Sequence, residues 1–199
     1  MAQSLAASPS ATSRVLGLAG ILGGAVLLAA FVVDISPDLN SLRLVLFNAG
    51  AMAIVVAVHR RQASAAPALA LLGAVSAFAA NAWYLAMVVF ATGREHPFAG
   101  DYGLVFFAAA LTMWLADAVF GLVTLRLGVV SRWGALALAI GSVLAVTGID
   151  RLALTSPAHP TIFGPIALTG VALNGIGWIL LGLDLATHGR ASEAQPHEA

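Results

Sequence analysis

Six times in 199 residues the chain runs for 17 residues or more with at most one charged side chain. A helix needs roughly 20 apolar residues to cross ~30 Å of hydrocarbon. A soluble domain of this length cannot build a core large enough to hide six such stretches from water. In lipid, backbone polar groups must be satisfied within the segment itself, which leaves helices as the solution for runs of this length. The expected fold class is all-α, a polytopic transmembrane bundle. Composition agrees: 60% of residues are hydrophobic, 9% are charged and mean hydropathy is +0.96, against ~45–50% apolar and ~25% charged in ordinary soluble domains.

The runs place helices at about 15–33, 42–58, 67–92, 102–125, 133–149 and 162–183. Val15 to Val33 is longer than a signal-peptide core and is followed by no small-x-small cleavage site, so it reads as a retained first helix. The second run is short, with Leu44–Val58 covering only ~22 Å as helix, and a five-helix arrangement without it is the rival. The sixth begins at Gly164-Pro165, a pair suited to a helix start. Residues 1–13 and 188–199 are small, polar or Pro-containing and read as disordered tails flanking one membrane domain over 14–187.

Charge gives an orientation. With the amino terminus in the cytoplasm, the inner segments hold Arg14, Arg60, Arg61, Arg126, Arg132 and Arg190, and the outer ones only Arg43, Arg94 and Arg151. Positive residues flanking the spans mark the cytoplasmic side, so both termini are expected there. Nine Arg and no Lys balance nine Asp plus Glu, which offers no basic excess for nucleic acid. The chain has no Cys, which excludes disulfides, thiolate metal sites and cysteine nucleophiles. Abundant Ala and Gly without Lys point to a GC-rich bacterial genome and hence to the inner (plasma) membrane.

Phe120 to Gly148, FGLVTLRLGVVSRWGALALAIGSVLAVTG, ends one helix at Arg126, turns at Gly128 and restarts at Ser131-Arg132-Trp133. With the opening Arg14-Val15-Leu16-Gly17, it resembles a hairpin recurring in small, uncharacterised six-helix bacterial integral membrane proteins of the domain-of-unknown-function type. The resemblance implies six helices and no assigned activity.

Polar side chains at membrane depth are the informative ones. Asp117 is the sole acid deep within a run, roughly 21 Å from the outer end of its helix, and Asn81 and Asn174 lie roughly 16 to 18 Å from theirs. Trp114 and Trp178 share helix faces with Asp117 and Asn174. These five form a candidate intramembrane layer for a proton or substrate. An ionised carboxylate there costs ~2.5–3.5 kcal/mol even on the lenient insertion scale. No Arg lies at matching depth, so an uncharged acid bonded to Asn81 and Asn174 is expected. Helix-to-helix hydrogen bonding is the plainer role for the same residues.

In the outer loops, His96 and His159 with Glu95, Asp101, Asp150 and Asp34 are the remaining metal or hydrolytic candidates, although no HExxH-type spacing occurs. Small-residue pairs at Gly20/Gly24, Gly73/Ala77 and Gly141/Ala145 allow close helix approach within the chain, to a second copy or to a membrane partner protein. No nucleotide or phosphate-binding motif is present and no cofactor is expected. The sequence favours a non-enzymatic, carrier-like bundle or membrane partner subunit. The alternative is an intramembrane enzyme using the outer His and carboxylate residues.

Overall fold

The computed structural model describes residues 10–29, 37–91, 100–148 and 164–188. They form six α-helices: α1 Ala11–Ala29, α2 Pro37–Gln62, α3 Pro67–Ala91, α4 Gly100–Leu127, α5 Arg132–Thr147 and α6 Pro165–Thr187. All but α5 are long and apolar enough to cross a membrane. The 16 residues of α5 extend ~24 Å at 1.5 Å per residue.

Local chemistry sets several of the ends. The Ser10 hydroxyl accepts from the Ser13 amide at 3.2 Å, starting α1 inside the stretch expected as a tail. Prolines open α2, α3 and α6, where the missing amide proton is no loss. The basic turn His59-Arg60-Arg61 closes α2, favourably placed at the negative end of the helix dipole. Gly128, at φ 62°, stops α4 in the left-handed conformation that suits a helix end. Three residues on, the Ser131 hydroxyl accepts the Gly134 amide at 3.2 Å to start α5.

The second helix is longer than the expected 42–58. Backbone hydrogen bonding carries it outward through Arg43 to Pro37 and inward to Gln62, because hydropathy marks the membrane core and not the helix end. The shortest helix is instead α5.

The helices form a closed ring in chain order, α6 packing on α1, while α2 also reaches across to α4 and α6. The four-residue connections after α2 and α4 lie at the same end as the start of α1 and the end of α6.

Glycines set the spacing around most of the ring. A β-carbon on Gly17 would meet the Gly182 carbonyl at 2.6 Å, one on Gly24 the Gly175 carbonyl at 2.6 Å, and one on Gly50 the Ala19 carbonyl at 2.6 Å. Gly121 stands equally close to the backbone of Ala135 and Ala139, and Gly141, Gly170 and Gly177 join α5 to α6. The Gly20/Gly24 pair does not serve one interface: Gly20 lies under Ile54 of α2 and Gly24 against α6. In contrast, Gly73 of α3 meets only the Val123 side chain.

The outer surface is unlike that of a soluble protein. Leu18, Leu22, Leu72, Val75, Leu104, Leu122 and Trp133 are exposed, whereas Asn48, Gln62, Asn81, Asp117, Thr124, Ser142 and Asn174 are fully buried. Apolar exposure around the whole circumference has no place in water. The chain is a multi-pass membrane protein.

Candidate functional site: a buried polar layer

The inward faces of α3, α4, α5 and α6 carry one polar side chain each at similar depth: Asn81, Asp117, Ser142 and Asn174. All four are 0% exposed. The Asn81 Nδ2 group donates to its own helix at Ala77 O (2.9 Å) and across to Asp117 Oδ1 (2.8 Å). Asn174 Nδ2 donates to Ser142 Oγ at 2.9 Å, and Ser142 passes its proton to Leu138 O at 2.8 Å. The Asn174 amide also lies close enough to the Asp117 carboxyl to interact with it. These contacts join two pairs of neighbouring helices across the ring interior.

Donors and acceptors in this layer do not balance. Asn81 Oδ1, Asp117 Oδ2 and Asn174 Oδ1 are buried with no hydrogen-bond partner among the described residues. Buried polar groups are usually paired, and leaving one unpaired costs ~1–3 kcal/mol. The three bare oxygens belong to Asp117 and to the two amides that interact with its carboxyl. Asn48, opposite on α2, gives its amide to Leu44 O at 2.7 Å and leaves its own oxygen unpartnered.

Below this layer, toward the end bearing the termini, Trp178 stacks on Phe120 with ring centroids 5.9 Å apart and planes at 20°. Trp178 is fully buried and its indole N–H is unpartnered. One turn of helix separates Trp178 from Asn174 and Phe120 from Asp117, so the aromatic pair floors the polar layer. Trp114, one turn above Asp117, is 5% exposed.

At the terminal end, α2 is fastened to two helices. Gln62 Nε2 donates to Thr124 Oγ1 of α4 at 3.0 Å. The Arg61 guanidinium pairs with Asp184 Oδ2 at 3.4 Å and donates to the carbonyls of Leu185 (3.3 Å) and His188 on α6. Those carbonyls belong to the helix end, where acceptors are free. At the far end, Arg43 lies in electrostatic reach of Tyr84, whose ring meets Phe106 at 5.3 Å.

Sequence reading placed Asn81, Asp117, Asn174, Trp114 and Trp178 as one layer, and the structure puts all five inside the bundle. It adds Ser142, which a hydropathy scan passes over, because a lone Ser in an apolar helix usually bonds its own preceding turn. It also pairs Arg61, counted from the sequence only as an inner-segment charge, with Asp184 of α6. His96, His159, Glu95, Asp34 and Asp150 lie outside the described residues, as does the side chain of Asp101. Among the described residues no three His, Cys, Asp or Glu side chains form a metal-binding group. Comparison with protein-family models, curated proteins and solved structures gave no match.

Proposed function

We propose that the protein is a non-enzymatic, carrier-like bundle of the bacterial plasma membrane, with the polar layer around Asp117 as its working site. The observation that supports this is the set of three buried, unpartnered oxygens on Asn81, Asp117 and Asn174. A layer present only to hold helices together would gain most by satisfying every member. This one leaves three acceptor oxygens that a ligand could engage. An acid at membrane depth is also expensive.

Arg14, Arg60, Arg61, Arg126 and Arg132 all fall at the end that carries both termini, and the excess of Arg assigns that end to the cytoplasm. The exposed apolar belt faces lipid, and a second copy or a membrane partner protein would dock on that same belt.

Asp117→Asn tests the site, because it preserves shape and hydrogen bonding while removing the acid. In proteoliposomes with an entrapped pH-sensitive dye, the wild type should dissipate an imposed pH gradient and the variant should not, with equal helical content. Equal rates in both would reduce the layer to a structural role.

A further inference from the structure

We propose that Asp117 Oδ2 and the free amide oxygens of Asn81 and Asn174 bind one small monovalent cation, in competition with a proton on Asp117. The inference rests on the polar layer being a working site and names the ligand class for it.

The choice follows from the inventory of atoms. All three open groups are oxygens that accept and do not donate, the donor set preferred by hard cations. An anion would meet a carboxyl group and two amide oxygens, with both amide NH₂ groups already engaged on Ala77, Asp117 and Ser142. A neutral hydrogen-bonding solute would need acceptors as well as donors from the site, and its walls offer few free donors.

Charge then sets the valence. Among the described residues Asp117 is the one fully buried acid; Arg61 is paired with Asp184 at the terminal end, and Arg43 lies beside Tyr84 toward the far end. A single positive charge leaves the occupied site neutral. A divalent ion would leave an uncompensated charge in low dielectric, at a cost of several kcal/mol. A proton on Oδ2 achieves the same neutrality, so the two ions exclude each other. The layer lies above the Phe120–Trp178 stack and away from the fastened terminal end.

Sodium is the probe. Thermal unfolding of the purified full chain in detergent, followed by Trp fluorescence, is measured in NaCl against choline chloride at equal ionic strength. A ligand that binds only the folded state raises stability with the logarithm of its concentration once the site fills. At pH 8 the Tm should therefore rise by equal steps for each tenfold increase in sodium. At pH 5 the rise should shrink, and in Asp117→Asn it should vanish. Thr124→Val, which breaks the distant Gln62 bond, should lower Tm yet keep the full sodium response, separating site loss from general destabilisation. Identical curves in sodium and choline would overturn the proposal, as would a sodium response surviving in Asp117→Asn or a larger response to calcium. Asp117-dependent proton flux in sodium-free vesicles with no sodium effect on Tm would remove this ligand and leave the carrier reading. A sodium-dependent Tm without any flux would do the reverse.

Discussion

Gly177 offers a quantitative test of how tightly α5 and α6 hold the polar layer. A β-carbon there would stand 2.6 Å from the Leu138 amide nitrogen, 0.8 Å short of the 3.4 Å at which ordinary contact begins. The obstacle is backbone, so a rotamer change cannot relieve it and the two helices must separate. Moving α6 away by that amount would stretch the 2.9 Å Asn174–Ser142 bond to about 3.7 Å, beyond hydrogen-bonding range. Overpacking costs ~1–3 kcal/mol and the interhelical bond ~0.6 kcal/mol. The helix propensity of Ala over Gly returns about 1 kcal/mol. The net expectation for Gly177→Ala is a loss of about 0.5–2.5 kcal/mol, read as a lower midpoint in reversible detergent unfolding. Gly175→Ala is the matched control. Its β-carbon meets the Leu28 side chain at 3.2 Å and the Gly24 carbonyl at 3.3 Å, a milder contact than at Gly177, and the change should cost clearly less. If the two variants unfold together, backbone contact between α5 and α6 does not set the packing.

Arg61→Met should destabilise by about 1–3 kcal/mol, as expected for losing charge-assisted bonds from a largely buried group. Combining it with Asp184→Asn should cost less than the two single changes added, because both act on one pair. In this naturally cysteine-free chain, single cysteines at positions 38, 98 and 158 should react with a membrane-impermeant maleimide added to intact cells. Failure of all three would reverse the proposed orientation.

The helices were legible because lipid imposes one requirement on a spanning segment, and Val15–Val33 or Pro67–Thr92 meets it visibly. The depth match of Asn81, Asp117 and Asn174 was also legible, since helical rise converts sequence position into height. Rotation about the helix axis was harder to read. Gly20 and Gly24 look like one motif, yet they face different neighbours, because every helix of a closed ring has two partners. Arg61 and Asp184, 123 residues apart, meet only because the ring brings the ends of α2 and α6 together. Hydropathy has no signal for that. Arg43 lies inside the expected 42–58 helix, and α2 continues past it to Pro37, since a long side chain can carry its charge toward the interface without ending the helix.

The placement of glycine divides the ring mechanically. Along the arc α2–α1–α6–α5–α4, each neighbouring pair meets through backbone atoms at Gly50, Gly17, Gly24, Gly141 or Gly121. Surfaces matched at that distance cannot slide without either collision or an opened void. The one glycine of α3, Gly73, meets the Val123 side chain of α4, and side-chain contacts repack by changing rotamer. Five helices are thus matched at backbone distance through glycine, and α3 is the remaining wall of the ring. Since Asn81 is on that wall, an outward movement of α3 would break its bond to Asp117 and uncover the acid in the same step.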